Sequence, residues 1–313
     1  MKVSTAVSSY ISNKRALGMR FKAEDAILKA FCKAIEDIPI ANVPATAVRA
    51  FLDGHGPVTS TWAKKYHVLS GLYRFALARG WVGFSPMPRS IPKPSTPAFV
   101  PYIYSHTQLK RLLDLIPVAC TVRSAIDADV FRALILLLYG AGLRLGEALA
   151  LCMDDVNLQQ ACLEVCETKF FKHRLVPMGA DLTKVVQEYF VKRNALHAAC
   201  PDSVFLCARD GSMINQSAAR NTFRRLRAAA AIHRDGGSRR QPRLHDLRHT
   251  AAVHRVIAWY RSGVDLRDRL PKLATYLGHV DLSATQRYLT MTPELLTEAS
   301  LRFERYAMEA NHD

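Results

Sequence analysis

The chain has no apolar run long enough to cross a membrane. Its longest, around ALILLLY, is far short of the roughly 20 residues a spanning helix needs. The opening MKVSTAVSSY reads into a polar helix without the apolar core of a secretory signal. Seven cysteines, an odd number with no C-x-x-C pair, argue against a disulfide framework. Reduced, mostly buried thiols are expected, with Cys162 and Cys166 sharing one face of a strand. The G-x-S-x-G, H-E-x-x-H and G-x-x-x-x-G-K-[ST] patterns are absent, which removes the commonest hydrolase, zinc-protease and P-loop readings. No cofactor and no metal ligand set is expected. Acidic residues are scarce: 27 Asp plus Glu stand against 43 Lys plus Arg, a net charge of +16 in 313 residues. The excess is spread along the chain, as in a protein that meets a polyanion over a broad face.

Two domains suit this length. Residues 1–84 read as a helical domain, with helices over Val3–Leu17, Lys22–Ile38, Ala45–Leu52 and Ser60–Arg79. Ile27, Leu28, Phe31 and Ile35 form one apolar stripe. Trp62, Tyr66, Leu69, Leu72, Tyr73 and Leu77 form another, at the spacing of a packed core face. Pro86, Pro88, Pro92, Pro94, Pro97 and Pro101 exclude regular structure and mark 85–102 as an extended linker. Residues 103–313 read as a second domain of mixed character. It opens on a capping box at Ser105 and Gln108. Helices are expected at about 106–115 and 124–140, a basic hairpin in CLEVCETKFFKHRLVPMG, and a short strand at SVFLCA. Helices then return from Leu182 to the C-terminal segment at 294–309.

Three short motifs carry the chemistry: AGLRLGEAL around Arg144, HDLRHT with His245 and Arg248, and LGHVDLSATQRY with His279 nine residues before Tyr288. Gly140, Gly142 and Gly146 miss a G-x-G-x-x-G dinucleotide fingerprint by one residue, although Glu164 lies at a plausible distance for a ribose contact. The apolar run Val130–Tyr139 is also long enough for a buried helix rather than a strand, so the nucleotide reading is set aside. Glu147 follows Arg144 by one turn and can orient it. His245 and Arg248, three apart, share a helix face. His249 is assigned a structural role and His254 the helix surface. Guanidinium groups match phosphodiester oxygens with forked donors and keep their charge. A tyrosine hydroxyl, with a pKa of roughly 10, becomes a nucleophile when histidines and cations lower that value or take its proton.

Arg, His, Arg, His and Tyr in this order resemble the tyrosine recombinase (phage integrase) family. GLRLGE matches its first arginine box, HDLRHT its second, and LGH followed by Tyr288 its third. The likeness covers the chain in detail from about Ser105 to its end, and the first hundred residues in organisation only. It implies a mainly α fold with a small β-sheet: an N-terminal helical core-binding domain that binds DNA, and an α+β catalytic domain. It implies a site-specific DNA recombinase or integrase that cuts and rejoins strands through a covalent 3′-phosphotyrosine. The alternatives are a type IB topoisomerase-like or resolvase activity, or a catalytically inactive DNA-binding relative.

By this resemblance Tyr288 is the nucleophile, Arg144, Arg248, His245 and His279 stabilise the transition state, and Lys169 protonates the leaving 5′ oxygen, with Lys172 second in line for that role. Lys64, Lys65, Lys93, Lys172, Arg174, Arg224, Arg225, Arg239, Arg240 and Arg243 are expected to contact DNA, with a local ion pair as the other role for Arg174. The partners implied are double-stranded DNA and a homo-tetramer on paired sites, with a monomer in free solution. The implied setting is cytoplasmic and nucleoid-associated, in a bacterial or mobile-element context. The stretch from Arg248 to His279 is several residues longer than is usual for the family. The extra length is expected in RSGVDLRDRLPK, between helices.

Overall fold

The computed structural model describes residues 1–55, 58–92, 100–166, 173–198, 200–237 and 240–279, and beyond them Thr285, Thr297, Glu298, Ser300, Leu301 and Glu304. The chain divides into two compact units, Met1–Ala98 and Phe99–Asp313. Among the described residues no helix is long and apolar enough to cross a membrane.

The first unit is helical: α1 (Val3–Ala16), α2 (Lys22–Ala34), a 3-10 turn at Ile40–Asn42, α3 (Ala45–Asp53) and α4 (Ser60–Ala78). Leu28 and Phe31 of α2 and Trp62, Leu69, Leu72 and Tyr73 of α4 meet in its core. Two expectations fail here. Leu77 is exposed rather than packed. Helix α2 also stops four residues short of Ile38, because Glu36 and Asp37 turn to positive φ. The Asp37 carboxylate instead accepts hydrogen bonds from the Ser4 backbone N–H (2.7 Å) and hydroxyl (2.9 Å), capping the open start of α1. The proline-rich stretch does not leave this unit at once: Met87 packs against its core, and the Tyr66 hydroxyl donates to the Pro88 carbonyl at 3.0 Å.

In the second unit the Ser105–Gln108 capping box forms at the head of α5 (His106–Asp114). A single turn, α6 (Ile116–Ala119), leads to α7 (Ala128–Gly140), whose Phe131, Leu134, Leu137 and Leu138 are buried. That segment is helix, not strand, and this ends the dinucleotide reading. Next come α8 (Leu145–Ala150) and an antiparallel sheet in the order β1 (Val156–Asn157), β2 (Cys162–Val165), β3 (Arg174–Pro177). The SVFLCA segment makes only isolated bridges, through Val204 and Cys207. Helices α9 (Ala180–Leu196), α10 (Gln216–Ala229), α11 (Asp246–Arg261) and α12 (Leu266–Leu277) complete the unit, with α11 packed on α7 and α12. Much of RSGVDLRDRLPK is helix rather than connection: α12 begins at Leu266, capped by Asp265, and contains Pro271. Of the seven cysteines, all free, Cys120 and Cys207 are buried and the others are half-buried or exposed, so the thiols are less buried than expected.

Candidate active site

The site is built on the C-terminal end of α12. Gly278 takes the left-handed conformation (φ +66), and the N–H groups of Gly278 and His279 fold back to Thr275 and Ala274. This is a Schellman ending, which glycine adopts without steric cost. The last carbonyls of the helix have no partner within it. Three arginines from three other segments take them. Arg174 donates Nε to Tyr276 (3.2 Å), Arg248 donates Nη2 to Leu277, and Arg144 donates Nη2 to Gly278 (2.7 Å). The helix dipole places negative potential there, so three like charges can gather at one helix end. A side chain at Gly278 would meet Arg174 Nη1 at 2.8 Å, a second reason for glycine in the LGH motif.

Glu147 closes the cluster from the other side. Its carboxylate accepts from the Arg144 backbone N–H (2.9 Å) and Nη1 (2.6 Å) and from Arg174 Nη2 (2.7 Å), and Arg248 Nη1 lies 3.9 Å away. Burial alone would raise the Glu147 pKa. The hydrogen bonds and charge of Arg174 and Arg144 outweigh it and bring the pKa down to about 2. Arg248 also donates Nη1 to the carbonyl of Gly142, a positive-φ residue whose added Cβ would strike Leu277 Cδ2 at 2.7 Å. Gly142 therefore serves close packing beneath Arg248, not nucleotide binding. The two arginines differ in access. The Arg144 side chain is 39% exposed, and that of Arg248 only 2%.

Three histidines surround the guanidiniums. His245 precedes α11 in helical conformation, which sets it over Arg248 on one face. The His249 ring stands edge-on to it, centroids 4.9 Å apart. His279 shares a 2.7 Å hydrogen bond through Nδ1 with the hydroxyl of Thr285, which is fully buried. All three have pKa values pushed down to about 4. Enclosure by protein is the largest cause, followed for His279 by Arg248, Arg144 and Arg174, for His249 by Arg248 and Arg243, and for His245 by His249, Arg248 and Arg243. The shifts favour the uncharged imidazoles, and of the three only His245 is solvent-exposed.

The structure thus brings together Arg144, His245, Arg248 and His279. It adds His249, whose i+4 spacing from His245 was the available signal, and Thr285, whose partner across six residues had none. Lys169 and Tyr288 lie outside the described residues, as do Lys93, Lys172 and Arg239. Several expected DNA contacts are occupied within the protein. Arg174, with its side chain only 11% exposed, takes the ion-pair role. Lys65 is half-buried, donates to the Phe51 carbonyl at 2.6 Å and sits over that ring. Arg243 binds Asp246, although it remains exposed. Lys64, Arg224, Arg225 and Arg240 are exposed. His254 is not simple helix surface: it bonds the Tyr139 hydroxyl at 2.9 Å and lies against His106, ring centroids 4.3 Å apart.

The sequence profile of the phage integrase family matches residues 105–294. The chain belongs to that family. It is similar to a Sinorhizobium fredii protein carrying the name integrase/recombinase y4rB, with 32% identity over 305 residues covering 96% of each chain. It is also similar to the tyrosine recombinase XerD of Corynebacterium glutamicum, with 30% identity covering 84% of this chain and 82% of the relative. Among solved structures, the Tn1549 transposon integrase in complex with transposon right end DNA superposes with a TM-score of 0.69. That match has 17% identity over 98% of this chain and all of the other, a likeness of fold.

Proposed function

We propose that this protein is a site-specific DNA recombinase that breaks and rejoins strands through a 3′-phosphotyrosine on Tyr288. The observation that carries this reading is the convergence of Arg144, Arg174 and Arg248 on three consecutive carbonyls, with His245, His249 and His279 around them. A scissile phosphate drawn to this charge meets Arg144 from the open side and Arg248 from beneath. The charge that develops on its non-bridging oxygens is stabilised by preorganised donors. His245 accepts the Tyr288 proton as its oxygen attacks phosphorus. The 5′ oxygen leaves with a proton from Lys169, which lies in sequence between Cys166 and His173. The phosphotyrosine conserves the bond energy, so a 5′ hydroxyl from a partner duplex reseals the strand without nucleotide hydrolysis.

In this reading residues 1–84 form a DNA-gripping domain, 85–102 a linker, and 103–313 the catalytic domain. Lys64, Arg224, Arg225 and Arg240 contribute backbone contacts. Two duplexes contribute four strands, so exchange calls for four active subunits on paired sites. The working compartment is the cytoplasm, at nucleoid DNA. The decisive experiment incubates the protein with a nicked suicide duplex bearing its site, digests the trapped adduct, and maps the modified residue. Attachment at Tyr288 is expected, with no adduct from Tyr288→Phe. An adduct on another residue, or one that survives Tyr288→Phe, would overturn the assignment.

A further inference from the structure

The β2–β3 hairpin carries a second constellation that strand transfer does not use. The register pairs Val165 with Arg174, so one step outward sets Cys166 opposite His173. Glu164, two residues before Cys166, faces the same side of the sheet. A carboxylate oxygen of Glu164, Sγ of Cys166 and a ring nitrogen of His173 all lie within 4.8 Å of one another. His173 Nδ1 is 3.9 Å from Glu164 Oε1, and Asp155 Oδ1 is 3.6 Å from Cys166 Sγ. Asp155 is itself anchored: it accepts from the Cys152 backbone N–H at 2.8 Å, and its carbonyl accepts from the Glu164 N–H at 2.8 Å. A tetrahedral zinc ion with bonds of about 2.0 Å to N and O and about 2.3 Å to a single S holds its donors roughly 3.3–3.5 Å apart. The observed spacing is wider, and the two outer ligands, Glu164 and His173, are on exposed side chains. Thiolate, imidazole and carboxylate together suit zinc over magnesium or calcium, which take oxygen alone. In a chain of net charge +16, this corner instead gathers acidic groups.

We propose that Glu164, Cys166 and His173 form a zinc-class divalent cation site that clips β2 to β3 at the root of segment 167–172; the Cys166 thiol gives up its proton to solvent on binding, and the Asp155 carboxylate, which accepts that S–H in the metal-free protein, is left facing the ion as a further negative group. The ion would hold both ends of the segment bearing Lys169. That consequence rests on the function proposed above, whereas the binding itself does not.

The test uses the full-length, reduced protein without DNA, so its outcome is independent of strand transfer. Cobalt(II) serves as the spectroscopic probe and zinc as its competitor. One equivalent of cobalt should give a thiolate-to-metal charge-transfer band that zinc displaces. Cys166→Ser should abolish the band, and His173→Ala should weaken cobalt binding by about tenfold or more. Metal-free variants that melt with the parent establish that the loss is local. Absence of the band in the parent, or a band undiminished in Cys166→Ser, overturns the proposal.

Discussion

Arginine does two different jobs in the second unit. At the end of α12, Arg144, Arg174 and Arg248 are fastened by backbone carbonyls and by Glu147. On α10 and after it, Arg224, Arg225 and Arg240 are exposed, although Arg225 also donates to the Ala119 carbonyl at 3.3 Å and the Thr222 hydroxyl at 3.2 Å. Arg224 is held by little more than Asn221 at 2.8 Å. The side chain is the same, and its surroundings decide the outcome. Where the guanidinium is enclosed and its donors are aimed, it offers a fixed field for one phosphate. Where it is exposed to water, it offers charge that salt screens. The first should govern rate at saturating DNA, the second affinity and its salt dependence.

The sharpest way to break this contrast is Arg144→Ala. It should slow covalent adduct formation about 10²–10³-fold while DNA retention at low salt changes little. Equal losses in both would erase the distinction. Next is Glu147→Gln. The Glu147 pKa is lowered in the folded state to about 2, so its stabilisation is fully present above the ordinary carboxylate range and is lost as pH falls from about 4.5 towards 2. The variant should lose on the order of 3 kcal/mol at pH 7. Its unfolding free energy should also depend less on pH below 5 than the parent's, as followed by denaturant titration across that range. A smaller effect is expected of Thr285→Val, which removes the hydroxyl partner of His279 Nδ1. One neutral hydrogen bond corresponds to about tenfold or less in adduct rate, measured on the suicide substrate with binding unchanged. Smallest in rate is the double substitution Arg224→Ala with Arg225→Ala. It should leave adduct formation at saturating DNA intact and flatten the plot of log affinity against log salt by about one unit per lost phosphate contact. A changed rate with an unchanged slope would move these residues into the first group.

Much of this was legible in one dimension because it is local. His245 and Arg248 share a face through helical period alone, Glu147 reaches Arg144 across one turn, and Ser105 with Gln108 announces its cap. The misreadings are instructive for the opposite reason. Asp37 looks like the last turn of a helix until Ser4, 33 residues away, claims its carboxylate. His254 looks like surface until Tyr139 and His106 arrive from other helices. Arg174 reads equally as a DNA contact or a local ion pair until Glu147, 27 residues earlier, supplies the pair. The Glu164, Cys166 and His173 set is spread over a hairpin with no motif spacing, and only strand register brings it together.

The order of residue types along the chain was enough to determine the family, the chemistry and the expected catalytic groups, since reaction type depends on which functional groups are present. Where Arg144, His245, Arg248 and His279 meet was decided only on folding. The meeting point is a helix terminus whose unpartnered carbonyls attract guanidiniums from three distant segments. That electrostatic sink exists only once α12 is formed and packed against α11 and α8 has placed Glu147 beside it.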